Sequence, residues 1–182
     1  MPDPDLSAVA RWPQVPACYG WLSLDRRGRW RLQGEPVTHA GLIAFMNRQY
    51  GTDGQGRWFL QNGPQRVFAA LAYTPWVFRL EGDGGLTAQT GEAAGPVSGV
   101  WLDEEGNVLL LAAQGIGLLD DRDLARFVGE CRHADGSSAD EESLLAVLAG
   151  GPPVTWRGTR VAGIRREDVA GRFGFVAEPT PD

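Results

Sequence analysis

The chain has 182 residues, of which 43% are hydrophobic and 22% charged, a composition typical of a globular protein with one core or two small halves. All 17 basic residues are arginine, which excludes Schiff-base chemistry and the lysine of a phosphate-binding loop. The net charge of −6 is uneven, because residues 1–80 hold nine arginines against five acidic residues and residues 81–182 hold eight against eighteen.

The location expected from the sequence is the cytoplasm. No apolar run reaches the length of a membrane helix, and "MPDPDLSAVARWP" lacks the basic start and apolar middle of a signal peptide. Two thiols, Cys18 and Cys131, are too few for a disulfide framework. Residues 1–15 and 178–182 are rich in Pro and Asp, and we expect a flexible N-terminal segment and a flexible tail.

The first half of the chain reads as hairpin, helix and hairpin. "LDRRGRWRL" from Leu24 predicts strand, tight turn and strand, since an aspartate and a glycine punctuate the turn. Thr38 is the predicted cap of a helix whose buried stripe is Leu42, Phe45 and Met46. "RWFLQNGPQRVF" then predicts a strand over 57–61, a turn at Asn62-Gly63 and a strand over 65–72, and "WVFRLEG" predicts a third strand.

The second half repeats this pattern with an insertion. "LDEEGNVLL" from Leu102 matches the first hairpin at an offset of 78 residues. "LDDRDLARFV" predicts a helix capped by Asp120, with Leu124, Phe127 and Val128 as its stripe. An inserted helix follows, with Ser138 and Glu141 at capping-box spacing, Leu144, Leu145 and Leu148 as a stripe, and Gly150 past its end. In "PVTWRGTRVAGI", Trp156 with Arg160-Val161 is predicted to correspond to Trp58 with Arg66-Val67.

These elements predict an α+β protein that is richer in strand than in helix. It would consist of two similar hairpin-helix-hairpin units packed together, with an extra helix inserted in the second. The expected boundaries are 16–81 for the first unit, 82–97 for a linker and 98–177 for the second unit.

Motifs of catalysis and metal binding are weak. The only histidines are His39, at the start of a helix, and His133, in a loop, and "GPVSGV" is not a nucleophile elbow. "CRHAD" places Cys131, His133 and Asp135 at alternate positions without a second ligand pair, so a surface loop is favoured over a metal site. We expect no catalytic residue, no metal and no cofactor.

Tryptophan and arginine are the conspicuous residue types. Six tryptophans fall in predicted strands beside arginines: Trp21, Trp30, Trp58, Trp76, Trp101 and Trp156. Such a face can bind anionic or planar ligands or single-stranded nucleic acid, but a tryptophan in a strand of a small domain is usually core. The sequence pI of about 4.9 further disfavours nucleic acid.

The segment "GWLSLDRRGRWRLQGEPVTHAGLIAFM", with "GRWFLQNGPQRVFAALAYTPWVFRL" after it, resembles a small proteobacterial family of unknown function. It is also distantly similar to another uncharacterised bacterial family, at Gly28 to Trp30, Gly34 to Val37, Leu42 with Phe45, Gly56 to Leu60, and Pro75 to Val77. The resemblance implies a duplicated α/β motif and a suggested role in ligand binding or signal transduction. It brings no active site.

The leading hypothesis is a bacterial ligand-binding or protein-interaction module without catalysis, whose partner is a small molecule or a protein. The candidate binding residues are Arg57, Gln61, Asn62, Arg66 and Tyr73 as polar contacts, with Trp58 and Trp76 as apolar walls. One alternative is a hydrolase with an unrecognised site, which would need His39 or a buried carboxylate in a cleft. The other is a single-stranded nucleic-acid binder, whose affinity would fall steeply with salt.

Overall fold

A computed structural model describes residues 12–182, and the chain forms two compact units. The first unit runs to Pro75 and also includes Gly174–Asp182, and the second is Trp76–Phe173. The fold is α+β and strand-rich, as the sequence predicts. None of the helices in residues 12–182 is long and apolar enough to cross a membrane.

Within residues 12–75 and 174–182, the first unit contains a six-stranded sheet and one helix. In chain order its elements are β1 (Ala17–Leu24), β2 (Trp30–Leu32), β3 (Glu35–Pro36), α1 (Ala40–Gln49), β4 (Tyr50–Thr52), β5 (Trp58–Asn62) and β6 (Gln65–Leu71). The strand order is β3-β2-β1-β6-β5-β4. The central pair, β1 with β6, is parallel, and the other pairs are antiparallel.

The second unit contains an eight-stranded sheet and three helices. Its elements are β7 (Trp76–Leu80), β8 (Leu86–Ala88), β9 (Val97–Leu102), β10 (Val108–Ala112), β11 (Gly115–Leu119), α2 (Leu124–Glu130), β12 (Cys131–His133), α3 (Glu141–Leu148), β13 (Val154–Trp156), β14 (Thr159–Gly163) and α4 (Arg166–Phe173). A 3₁₀ turn at Asp121–Asp123 precedes α2. The strand order is β12-β13-β14-β9-β10-β11-β7-β8.

Six strands of each unit follow one plan. In chain order, β9 to β14 occupy the same sheet positions as β1 to β6, and the central pair β9 with β14 is parallel like β1 with β6. Each plan is a hairpin, a helix and a second hairpin, and α3 is the helix inserted in the second unit. The prediction of two similar units with an insertion in the second is therefore confirmed.

Three tight turns are built around an aspartate in the same way. Oδ1 of the aspartate accepts the backbone N–H groups two and four residues further on, and a glycine three residues on takes a positive φ. These pairs are Asp25 with Gly28, Asp53 with Gly56, and Asp103 with Gly106. Local hydrogen bonding by aspartate and the conformational freedom of glycine together fix the hairpin geometry. The turns predicted at an offset of 78 residues are confirmed.

Helix α1 packs through its predicted stripe, since Leu42, Phe45 and Met46 are all buried. Its predicted cap is wrong. The helix begins at Ala40, and Nδ1 of His39 accepts the N–H of Leu42 at 3.1 Å, so Thr38 lies one residue too early to serve.

The helices of the second unit follow their predicted stripes only in part. In α2 Phe127 is buried, whereas Leu124 and Val128 are half-buried. In α3 Leu144 is buried, but Leu145 is 56% exposed and Leu148 is 37% exposed. The cap of α3 is Asp140, which accepts the N–H of Ser143 at 2.9 Å, because the helix begins later than a cap at Ser138 requires.

Two other helix signals in the second unit hold. Asp120 caps the 3₁₀ turn that leads into α2 by accepting the N–H of Arg122 at 2.9 Å. Gly150 has φ +79° just beyond α3, where a left-handed residue ends a helix.

The strand pairing in the second hairpin of each unit differs from the pairing that the sequence predicts. In the first, Asn62 pairs with Gln65, so the two turn residues are Gly63-Pro64 and not Asn62-Gly63. In the second, Trp156 pairs with Thr159 around Arg157-Gly158. Trp156 therefore occupies the position of Asn62, and the predicted correspondence of Trp58 with Trp156 is wrong.

The strand at 76–80 pairs in the second sheet, although the sequence interpretation placed it with the first half. β7 lies parallel to β11, and the segment read as a linker contains β8, which pairs with β7. At the chain ends, Trp12, Phe175 and Pro179 are buried. The expectation for residues 1–11 lies outside the described residues, and the remaining domain boundaries stay predictions.

Candidate functional site

The seven candidate residues do not gather in one place. Side chains alternate along a strand, and the pairs Phe59 with Phe68 and Gln61 with Arg66 define one face of β5–β6. Trp58 and Asn62 point to the opposite face with the fully buried Leu60. Tyr73 is buried in the loop after β6, and Trp76 begins β7 of the second unit.

Arg57 holds the turn before β5. Its Nε is 2.8 Å from Oδ2 of Asp53, its Nη1 donates to Tyr19 Oη at 3.4 Å, and its guanidinium lies 4.9 Å from the centre of the Phe68 ring. Burial opposes ionisation of Asp53, but the bonds from Arg57 and from the N–H of Gln55 outweigh it and lower the pKa of this carboxyl. The guanidinium of Arg57 is therefore engaged by Asp53, Tyr19 and the ring of Phe68 within the first unit.

Arg66 presents a cation over an aromatic ring. It is exposed, and its guanidinium lies 4.5 Å from the centre of the Phe59 ring, beside Gln61 on the same face. The sequence interpretation paired arginine with tryptophan on this hairpin. In the structure both arginines lie over phenylalanine rings, because alternation turns Trp58 to the helix-covered face, where its ring lies 4.9 Å from that of Tyr50.

A concave surface lies at the turn of the β5–β6 hairpin. The cleft has a volume of about 370 Å³, and its lining residues are Gln14, Val15, Pro16, Asn62, Pro64 and Gln65. Three of these carry amide side chains, which supply both donors and acceptors. The cleft thus combines one candidate, Asn62, with neighbours that the sequence interpretation missed, because Gln14 is far away along the chain.

Hydrogen bonds fix the walls of this cleft. Nε2 of Gln65 donates to the carbonyl oxygens of Pro13 at 2.5 Å and Val15 at 2.7 Å. Nδ2 of Asn62 donates to Oε1 of Gln65 at 3.2 Å. On the other side of the hairpin, Gln61 Nε2 donates to the carbonyl of Gly63 at 2.6 Å and stiffens the turn. The amides of Asn62 and Gln65 are therefore held before any partner arrives.

The two histidines have structural contacts. His39 caps α1 through Nδ1, as described above, and is exposed. His133 Nε2 lies 3.1 Å from Oγ of Ser143, a serine-histidine contact that no sequence motif indicated. Oγ of Ser143 also donates to Oδ1 of Asp140 at 2.8 Å, and a hydroxyl has only one proton to give. With that proton on the side of Asp140, the imidazole is the donor, which is the reverse of a general base.

The side chains of Cys131, His133 and Asp135, which alternate in "CRHAD", do not come together in the structure. Cys131 is buried with its Sγ 3.3 Å from the carbonyl of Phe127, and burial raises the pKa of its thiol to about 11. Asp135 accepts bonds from the N–H and Oγ of Ser137. Within residues 12–182, no group of three or more His, Cys, Asp or Glu side chains is placed to hold a metal ion.

Two solved structures of uncharacterised proteins resemble this one. A DUF1285 family protein from Silicibacter pomeroyi DSS-3 is 15% identical, with a TM-score of 0.55 over 90% of this chain and 97% of its own. A DUF1285 family protein from Shewanella baltica OS155 is 16% identical, with a TM-score of 0.46 over 59% of this chain and 90% of its own. The first likeness shows a shared fold.

Sequence comparison gives a family and no activity. No curated protein matches the sequence. The family model described as "Protein of unknown function (DUF2946)" matches residues 1–180, nearly the whole chain. The resemblance to an uncharacterised family, and a more distant one to a second such family, is therefore confirmed. The chain belongs to this family of proteins of unknown function.

Proposed function

We propose that the protein is a non-catalytic interaction module that binds an extended peptide segment of a partner protein. The observation that carries the proposal is the cleft at the β5–β6 turn, where the amides of Gln14, Asn62 and Gln65 line one concavity of about 370 Å³. A peptide backbone presents alternating N–H and C=O groups, and the amides of Gln14 and Asn62 match both. Gln65, whose two N–H groups are donated to Pro13 and Val15, can only accept.

Preorganisation supports this proposal. Residues 14–16 form one wall of the cleft, and the segment 13–16 is hydrogen-bonded to β6. Gln65 donates its two bonds to this segment, and the N–H of Arg66 donates to the carbonyl of Pro16 at 2.9 Å. A wall that is already ordered spares the partner the entropic cost of ordering it. Val15, which is 43% exposed, and Pro64 add apolar surface beside the amides.

The candidate residues take different roles in this proposal. Asn62 contacts the peptide directly, Gln61 stiffens the turn, and Arg66 with Phe59 offers a cationic surface on the other face of the same hairpin. Arg57, Trp58 and Tyr73 maintain the first unit. Trp76 belongs to the second unit and takes no part in this cleft.

We also propose that the two units descend from one duplicated segment and that the module acts in bacterial signal transduction. The shared strand order and the parallel central pairs support the duplication. A crystal structure in which β1 to β6 (residues 17–71) fail to superpose on β9 to β14 (residues 97–163) would contradict it.

Selection from a random peptide library displayed on phage tests the binding function. We expect the wild-type chain to enrich a peptide family whose affinity falls about tenfold in Asn62→Ala, the size expected for a contact worth about 1.4 kcal/mol. Gln55→Ala, which removes an exposed amide from another turn of the same unit, is the control and should bind like the wild type. Enrichment of no peptide, or equal binding by Asn62→Ala, would refute the proposed site.

A further inference from the structure

The space beneath the helix is filled differently in the two units. In the first, Trp30 is buried, and its Nε1 donates to Oδ1 of Asn47 on α1 at 2.8 Å. Trp30 pairs with Leu24 next to the first aspartate turn, and Val108 pairs with Leu102 at the same place in the second unit. Asn47 is the third residue from the end of α1, and Val128 is the third from the end of α2.

The tryptophan and asparagine of the first unit are thus replaced by two valines. Valine is much smaller than tryptophan, so the exchange removes volume, and it also removes a hydrogen-bonded pair. A cleft of about 240 Å³ lies at this place, lined by Leu102, Gly106, Val108, Leu124, Phe127, Val128, Glu141, Leu144 and Leu145. The inserted helix α3 forms one side of it.

The chemistry of the cleft defines its occupant. All lining side chains except Glu141 are apolar, and the position of the Asn47 acceptor is taken by Val128. A buried group here should therefore be apolar throughout, such as a phenyl or isobutyl group, because an indole would leave its N–H without this acceptor. The cleft is smaller than a typical small-molecule site and fits one anchoring side chain.

Charge and exposure favour a basic partner. Glu141 lines the cleft, and its chain neighbours are acidic too, since Asp140 is the N-cap of α3 and Glu142 lies in the first turn. The second unit as a whole holds nine arginines against sixteen acidic residues, a net charge of −7. Leu145, more than half exposed at the lip, extends the apolar surface outward from the cleft, as at a protein interface.

We propose that this cleft binds a phenylalanine or leucine side chain presented by a partner protein between arginines or lysines. The site is separate from the amide cleft of the first unit and does not depend on it. The acidic residues orient the basic segment, and the two valines with Phe127 and Leu144 receive the anchor.

Four fluorescein-labelled pentapeptides test the proposal by fluorescence anisotropy: RRFRR, RRLRR, RRSRR and EEFEE. We expect RRFRR and RRLRR to bind at least about tenfold more tightly than the other two, since both the anchor and the charge contribute. The double variant Val108→Trp/Val128→Asn, which copies the filled arrangement of the first unit, should lower affinity for RRFRR by about tenfold or more.

Four single variants keep the test decisive if the double variant does not fold, which circular dichroism reports. Leu145→Ser removes the apolar lip, and Glu141→Arg reverses the charge, so both should weaken RRFRR binding. Glu92→Arg makes the same charge reversal at an exposed loop residue outside the lining and should bind like the wild type. Asn62→Ala should also leave RRFRR binding unchanged, which separates this site from the amide cleft.

Several outcomes would overturn the proposal. If RRSRR bound as tightly as RRFRR, the anchor would contribute nothing and only the charged surface would bind. If the folded double variant bound RRFRR as tightly as the wild type, the peptide would bind outside this cleft. Binding of phenethylamine without binding of RRFRR would make the cleft a small-molecule site. Concentration-dependent dimers in analytical ultracentrifugation that Leu145→Ser abolishes would make a second copy the occupant, and no binding of any probe would leave the cleft without this role.

Discussion

The two units share a strand order but differ in how they fill the space between helix and sheet. In the first, a buried indole and its asparagine partner close this space. In the second, valines stand at both places, and an added helix lines an open cleft instead. Strand pairing therefore tolerates large changes in side-chain volume beneath the helix, and such a change can leave a surface free for binding.

The β1 and β9 strands show a second exchange of aromatic volume. At the offset of 78 residues, Trp21 corresponds to Gly99 and Ser23 corresponds to Trp101. A Cβ on Gly99 would overlap the indole of Trp101, so this ring lies back over the glycine. The indole of Trp101 therefore lies over the position that corresponds to Trp21, although it comes from a residue two positions further along the strand.

Trp30→Ala should give the largest effect on stability, because it removes the indole that fills the space beneath α1. It removes a fully buried indole and leaves Asn47 without its donor, so we expect a loss of about 3–5 kcal/mol in the free energy of unfolding. Val108→Ala, at the corresponding position, should cost only about 1.5 kcal/mol, since it removes two methyl groups beside an open cleft. Urea denaturation followed by circular dichroism measures both. Equal losses would show that the two positions are filled alike.

The glycines of two aspartate turns differ in how closely another part of the chain approaches them, and Gly56→Ala tests this difference. An added Cβ would overlap the carbonyl of Gly174, and φ is +78°, so the C-terminal segment would have to move. We expect a loss of about 2–4 kcal/mol, including the bond from the N–H of Val176 to the carbonyl of Gly56. Gly106→Ala, with φ +85° and open space around it, should cost about 1 kcal/mol from backbone strain alone. Thermal melts of the two variants would test the order.

The repeated local signals are what made much of the fold predictable. Aspartate and glycine at fixed spacing encode the turns at Asp25 and Asp103 by bonds within five residues, and the stripe of α1 encodes its buried face. All six strand tryptophans lie in strands, as predicted. These features depend on near neighbours, which a sequence displays directly.

The features that the sequence did not reveal depend on distant residues. β7 joins the second sheet because β11, about 40 residues later, offers it a parallel edge, and no local pattern announces that choice. The amide cleft needs Gln14 beside Asn62, and the apolar cleft appears only when Val108 is compared with Trp30 in three dimensions. The candidate residues of the β5–β6 hairpin lie on two faces of the sheet, because successive side chains of a strand point in opposite directions.

Acid should weaken the aspartate turns by a smaller amount. Burial opposes ionisation of Asp53, but its bonds from Arg57 and Gln55 hold its folded pKa below the ordinary value. Such a group adds stability above the unfolded pKa of about 4, and that stability is lost as the pH falls through the folded pKa. The free energy of unfolding should therefore drop on acidification from about pH 5 to about pH 2, and Asp53→Asn should make the drop shallower by less than about 1 kcal/mol.

Arg57→Gln offers a check from the other side of this pair. Without the guanidinium, the pKa of Asp53 should move back toward its ordinary value, and the acid-induced drop should again become shallower. Identical pH profiles for the wild type and both variants would show that the turn contributes nothing to acid sensitivity.

The smallest effect on stability is expected at Leu145. In α3 the predicted stripe is only partly buried, whereas the stripe of α1 is buried throughout. The three leucines of α3 have the spacing of a buried stripe, yet Leu145 is 56% exposed and Leu144 only 4%. Leu145→Ala should therefore change the free energy of unfolding by no more than about 0.5 kcal/mol, whereas Leu144→Ala should cost about 2–4 kcal/mol. Urea denaturation of both variants measures the difference. Because an exposed leucine adds little to folding, a loss of peptide binding in a fully stable Leu145→Ala protein would assign this side chain to the partner; a large loss of stability would return it to the core.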